Sequence, residues 1–280
     1  MKVKTSKEDF EFSNLPRNRK EVFFDVFKIH WRLIFGIGGL LLLAFLPTLA
    51  ILFFRDNYCL GLAIKVNSGE VTKETYNSYV KYAHLIASIA VWLSLYIFSI
   101  VFSGLMRIYR QLVWLEPLFF KEDFVKGIKD NYKSCAITFT FFGLLLVACK
   151  LTNLFTDNVV VQAIPIALSL VIIVPVLTLT LYQSAIYSGG YFMLLKNAPL
   201  FYIKDALRVI LFTAILYSPL LLGIMNSYLP IKYIVAVVIV LFILPFTLLI
   251  YQLFSNYIFD KFINITQYPE LVNKGMYKED

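Results

Sequence analysis

The chain has 280 residues, of which 59% are hydrophobic and only 16% charged, with a mean hydropathy of +0.73 and a net charge of +8. Soluble globular domains carry about 25% charged residues, so this composition excludes an ordinary water-soluble domain. The positive charge would suit nucleic acid, but it is not gathered into one basic patch. It is sorted by position along the chain, in the way that orients membrane proteins.

Six stretches carry no charged side chain: Leu33–Phe54, Leu85–Met106, Ser134–Cys149, Asn158–Leu195, Val209–Ile231 and Tyr233–Phe259. A helix needs about 20 apolar residues to cross the hydrocarbon core. Lipid offers no hydrogen-bond partners, so only helices and closed barrels cross it. The run Leu40–Leu46 lacks the polar–apolar alternation of a barrel strand, which leaves helices.

Residues 1–20 are polar and mixed in charge, broken by Pro16, and predict a mobile cytoplasmic tail. Glu21–Arg32 predicts an amphipathic lead-in that continues into the first crossing, at about 31–54. That crossing is too long for the apolar region of a cleaved signal and predicts a signal anchor. Arg55–Lys81 forms the long outer segment. Within it Asn67-Ser68-Gly69 marks a turn, and Thr72–Tyr82 predicts an extension of the second helix, at 83–106. The remaining crossings are expected at 134–152, 159–188, 208–226 and 231–256. The short connections at Thr152–Asn158 and Asn226–Pro230 predict antiparallel neighbours. Gly189-Gly190 ends the over-long fourth segment, and Tyr191–Leu200 is expected at the cytoplasmic interface. Pro47, Pro165, Pro175, Pro219 and Pro245 fall inside crossings, which membrane helices tolerate. Residues 257–280 predict a cytoplasmic tail, with Pro269 opening and Gly275 closing a short helix.

With the N-terminus inside, the inner side collects 20 Lys and Arg residues and the outer side 6, namely Arg55, Lys65, Lys73, Lys81, Lys150 and Lys232. The bias is the positive-inside signature, and anionic lipid at the inner leaflet complements it. Cation pairs four residues apart precede each odd crossing: Lys28 and Arg32, Lys129 and Lys133, Lys204 and Arg208. The pattern reads as three helical hairpins in tandem.

Catalysis needs positioned acids, bases or nucleophiles. His30 and His84 each sit at an interface without a partner at ligand spacing, and no hydrolase, metalloprotease or phosphate-loop motif is present. Cys59, Cys135 and Cys149 form no disulfide framework or metal spacing. No cofactor or metal is expected. Ion-coupled carriers place ionisable groups within the membrane. Here the mid-crossing polar residues are neutral: Gln162, Thr178, Thr180, Gln183, Ser184, Ser218 and Gln252. They are expected to bond helix to helix.

The richest polar segment is Arg107–Lys133. It interleaves Arg107, Arg110, Lys126, Lys129 and Lys133 with Trp114, Phe119, Phe120 and Phe124. Pro117 and the acids Glu116, Glu122 and Asp123 are expected to divide it into two short interfacial helices. Arg107, Arg110, Trp114, Phe119, Phe124, Lys126, Lys129 and Lys133 are the candidate docking residues, for anionic lipid or for a protein partner.

The run Ser103-Gly104-Leu105-Met106-Arg107, followed by Phe124-x-Lys126-Gly127-x-Lys129-x-Asn131-x-Lys133, resembles the YesL-like family of Gram-positive integral membrane proteins, a domain of unknown function. Phe259–Asn264, Tyr268-Pro269-Glu270 and Lys274-Gly275 resemble the same family. The N-terminal tail and outer loop are longer here. The resemblance implies association with carbohydrate-uptake ABC transporters and carries over no catalytic residues.

The chain therefore reads as one all-α membrane domain, residues 1–280. Six transmembrane helices form three tandem hairpins with cytoplasmic interfacial helices, in the plasma membrane with both termini cytoplasmic. The expected function is a non-enzymatic accessory or scaffold protein, with membrane lipids and a membrane transporter as partners and no nucleic acid. The alternative is a carrier for a neutral solute. A lipid-modifying enzyme is disfavoured by the missing catalytic set.

Overall fold

The computed structural model describes residues 15–224 and 228–277. Most of the expected N-terminal tail, the turn at Asn226 and the last three residues lie outside these. Among the described residues every regular element is helical. Three long helices come first: α1 (Arg19–Asn67), α2 (Lys73–Val113) and α3 (Phe120–Phe155). Then α4 (Val159–Leu168) passes through a π-turn, Ser169–Ile173, into α5 (Val174–Ile186). After α6 (Tyr191–Lys204) and α7 (Ala206–Ile224), α8 (Leu229–Val238) passes through a second π-turn, Ile239–Ile243, into α9 (Leu244–Phe259). A third π-turn, Asp260–Asn264, the short α10 (Ile265–Gln267) and a 3₁₀ turn at Pro269–Leu271 end the chain.

Five helical segments are long and apolar enough to cross a membrane: α1, α2, α3, α4 through α5, and the run from α8 to Gln267. The chain is thus built as a polytopic membrane protein. In α7 the apolar stretch Ala206–Leu221 is shorter.

Local chemistry sets the helix ends. Asn18 caps α1: its Oδ1 accepts the Glu21 N–H at 3.0 Å, while its Nδ2 donates to Glu21 Oε1 at 2.6 Å. The reciprocal pairing satisfies donors that a helix start leaves orphaned. Thr72 and Asn158 cap α2 and α4 in the same sense. The predicted turn at Asn67-Ser68-Gly69 is where α1 stops, with Gly69 at φ +80°, a conformation that costs a residue without Cβ nothing. The segment Arg55–Lys81, expected as an outer loop, is therefore mostly helix, the tips of α1 and α2 continued past the apolar stretches. His30 (φ −114°, ψ 18°) interrupts α1 where the lead-in meets the first crossing.

At the centre lies α2, packed against α1 and α3 and touching α5 and α9. Phe98, Phe102, Leu105, Met106, Ile108 and Tyr109 are buried along it. In lipid the hydrophobic effect gives helices no net reason to associate, so close packing and polar bridges must hold them. Small residues supply the packing. A Cβ on Gly38 of α1 would lie 1.9 Å from the Leu241 carbonyl oxygen, and one on Gly143 of α3 would lie 2.0 Å from Trp92 of α2. Hydroxyls supply the bridges: Thr48 to Ser94 at 2.7 Å, Tyr96 to Thr140 at 2.8 Å, and Thr138 to Tyr191 at 3.0 Å.

Pro175 and Pro245 each follow a π-turn, and neither has an N–H to offer the carbonyl one turn back. Tyr202 of α6 donates to the Val171 carbonyl at 2.9 Å, and Gly38 packs on the Leu241 carbonyl. Both are four residues before a proline.

The mid-crossing polar residues behave differently from expectation. Thr178 alone among them bonds another helix, with its hydroxyl 3.1 Å from that of Tyr217. Thr180, Ser184 and Ser218 donate to carbonyls three or four residues back on their own helices, and Gln252 reaches only Asn256. A back-bonded hydroxyl satisfies itself without tying helices together. Gln162 bonds the Thr156 carbonyl just before its helix, and fully buried Gln183 has no partner among the described residues.

At one end of the bundle Asp56 sits between Arg55, 2.5 Å away, and Lys232 of α8, also at 2.5 Å, and accepts the Tyr233 hydroxyl at 3.0 Å. Burial opposes ionisation of Asp56, but Lys232, Arg55 and Tyr233 outweigh it and hold its carboxyl below the usual range.

Candidate functional site

The segment Arg107–Lys133 lies at the end of the bundle opposite Asp56. It holds no separate short helices: α2 runs unbroken to Val113, a loop spans 114–119, and α3 starts at Phe120. The correction follows from how the two helices pack. A Cβ on Gly104 would strike the Phe124 ring at 2.6 Å, and one on Gly127 would lie 2.8 Å from both Arg107 Cβ and the Gly104 carbonyl oxygen. Asn131 Nδ2 reaches the Ser103 carbonyl at 3.4 Å. Close packing therefore holds α2 and α3 together as far as their ends, and the loop has only to turn between them.

The eight candidate residues separate into two groups. Arg107 and Arg110 were expected at the surface, and the structure corrects this. Arg107 is largely covered, pairing with Asp123 at 3.1 Å and Asp130 at 3.6 Å. Arg110 donates to the Ala185 carbonyl of α5 at 2.7 Å and lies over the Trp114 ring, 5.1 Å from its centroid. Trp114 also takes Lys274 over its ring at 4.2 Å, a second cation–π contact. Phe124 stacks on Phe120, with centroids 5.8 Å apart. These four residues build the fold.

The other four face outward. Lys126, Lys129 and Lys133 are exposed and have no hydrogen-bond or ion-pair partner among the described residues. Spacings of three and four residues align them along one face of α3. Phe119, just ahead of that helix, is 67% exposed. Asp123 anchors the start: its Oδ2 accepts the Phe119 N–H at 2.9 Å while Oδ1 takes Arg107. Burial opposes its ionisation, yet the Phe119 N–H, Gln111 and Arg107 prevail and hold its carboxyl below the usual range.

Residues 260–277 close against this end, where a cytoplasmic tail was expected. Asp260 takes the Arg19 guanidinium, the Asn264 amide at 2.6 Å and the Asn273 N–H at 3.0 Å. Lys274 pairs with Glu116 at 2.6 Å, Gly275 (φ +83°) lies on the Trp114 backbone, and the Tyr277 N–H reaches the Pro16 carbonyl at 3.0 Å. Sequence reasoning missed Asp260 as a hub. Its i,i+4 partner Asn264 was the available signal, since that spacing brings the two side chains together on a helix.

Between the two ends, Phe45, Phe98, Phe139, Phe142 and Tyr217 line a cavity of about 320 Å³ whose walls are almost wholly apolar. Among the described residues no three His, Cys, Asp or Glu side chains converge as metal ligands. No protein-family model, curated protein or solved structure matches the chain.

Proposed function

We propose that the chain is an accessory or scaffold protein of the bacterial plasma membrane. It crosses six times, with α7 as the fifth span in chain order and both termini cytoplasmic, and it presents the α3 lysines to a membrane partner. The single observation that supports this reading is the contrast between a closed middle and an open inner end. The interior between the ends holds packed aromatics and apolar cavities, whereas the Lys126, Lys129 and Lys133 side chains are exposed with no hydrogen-bond or ion-pair partner among the described residues and the Phe119 ring is exposed beside them. A path for a polar solute needs polar groups to replace its water, and the cavity walls offer few. The resemblance in Ser103–Arg107 and Phe124–Lys133 points toward carbohydrate-uptake transporters as the class of partner.

A photo-crosslinker placed at Lys129 in intact membranes tests the reading. The expected product is an adduct with a transporter subunit, lost when Lys126 and Lys133 are reversed to Glu. Adducts with lipid alone, or solute accumulation in reconstituted vesicles that collapses with an ion gradient, would overturn it. Labelling from outside should reach a cysteine at Ser68 and not one at Met276.

A further inference from the structure

A groove of about 540 Å³ opens at the inner end, where the first turns of α1 meet α7 and α9. Its floor is apolar. Phe212 and Phe254 stack almost parallel there, with centroids 4.1 Å apart, and Phe23, Phe24 and Leu253 extend it. Its rim is cationic: Arg19, Lys20 and Arg208 line it.

The geometry points to a site for one anionic phospholipid of the inner leaflet, its phosphate at Lys20 and Arg208 and an acyl chain along the phenylalanine floor. The inference rests on the membrane reading above. Charge complementarity selects the occupant. Arg19 is neutralised by Asp260. Asp205 is shared between Arg208, at 3.3 Å, and Lys261, at 3.2 Å, so one carboxylate serves two cations. Lys20 is exposed with no partner among the described residues. The rim thus keeps a positive excess. Arg208 is also fixed in place: it donates to the Tyr257 hydroxyl at 2.7 Å, and Tyr257 is itself part of the groove. An arginine held with donors to spare suits a phosphate. A soluble anion would use the rim and leave the apolar floor wet, whereas a phospholipid satisfies both. Phe24, Phe27 and Ile29 are exposed beside the groove, as in a helix lying within the headgroup region.

The test is spin-labelled lipid association in vesicles of phosphatidylcholine containing a minority of phosphatidylglycerol. Carbonate-resistant membrane insertion is checked first, and its failure would sink the membrane reading. For inserted protein, labelled phosphatidylglycerol should be preferred over labelled phosphatidylcholine. Lys20→Ala should lower that preference about fivefold, and adding Arg208→Ala should lower it about fivefold again. Lys20→Ala is exposed and unpaired, so it leaves the fold intact. The triple variant Lys126→Ala, Lys129→Ala and Lys133→Ala should keep most of the preference. Preference unchanged in both rim variants, or lost equally in the α3 triple variant, would overturn the site. So would displacement of the lipid by inorganic phosphate alone.

Discussion

The two ends of the bundle use charge in opposite ways. At one end Asp56 gathers Arg55, Lys232 and Tyr233, and Lys81 meets Asp157 at 2.5 Å. At the opposite end the cations fall into two sets. Arg19, Arg107 and Arg110 bind carboxylates or a carbonyl, whereas Lys20, Lys126, Lys129 and Lys133 stand free among the described residues. The guanidinium is planar and weakly hydrated, so it enters covered sites at lower cost than an ammonium, which water holds strongly. A topology count treats both residues alike, yet Arg19, Arg107 and Arg110 hold the fold while Lys20, Lys126, Lys129 and Lys133 face what lies outside it.

Removing single partners tests that contrast most sharply at the Asp56 end. Asp56→Ala leaves Arg55 and Lys232 facing each other, each with a side chain only 14–15% exposed. The expected loss is about 3–5 kcal/mol, the cost of stranding covered charge, read as a lowered unfolding midpoint in detergent. A loss below 1 kcal/mol would mean that water reaches this cluster. Asp123→Ala at the opposite end should cost about 2 kcal/mol, because Arg107 keeps Asp130 while the Phe119 N–H loses its acceptor. Hydrogen exchange should rise first at the start of α3.

The pH response follows from the same two carboxylates. Both have lowered pKa values in the folded state. Their contribution is therefore present above the ordinary aspartate range, near about 3.9, and disappears as pH falls through it toward the folded value. Thermal stability should decline below about pH 4, and Asp56→Asn with Asp123→Asn should flatten that decline. The smallest effect is expected from replacing Lys126, Lys129 and Lys133 with Ala, which should change stability by less than about 0.5 kcal/mol. A larger loss would show that these lysines do hold the fold, and the division between Arg and Lys would fail.

Much of the architecture was legible because membrane helices must carry their own hydrogen bonds and advertise their length. Asn67-Ser68-Gly69 ends α1, the stretch from Thr72 extends α2, and Gly189-Gly190 separates α5 from α6 as expected. The candidate site was half legible. Lysine spacing showed the outward face of α3. Nothing in the spacing of Arg107 and Arg110 showed that Asp123 and the Ala185 carbonyl would take them, because those contacts depend on how α2 is rotated against α3 and α5. That rotation is fixed by Gly104 and Gly127 against Phe124 and Arg107, a packing fact rather than a periodicity. The mid-crossing hydroxyls misled for a related reason: a serine or threonine can satisfy itself on its own helix, so its presence does not name a neighbour.

Asp260 bears on how the molecule is made. It joins Arg19, at the start of the first helix, to Asn273, near the end of the chain. Of these residues Arg19 is translated first, and the contact spans 241 positions in sequence. The α1–α2–α3 unit can assemble from near neighbours while synthesis continues, but this closure waits until Asp260 and Asn273 have been made. Contacts between distant parts of a chain form late because a long loop must close before they form. The Arg19–Asp260–Asn273 knot is thus a completion step, and a nascent protein stalled before Asp260 would expose the unpaired Arg19 that the finished fold covers.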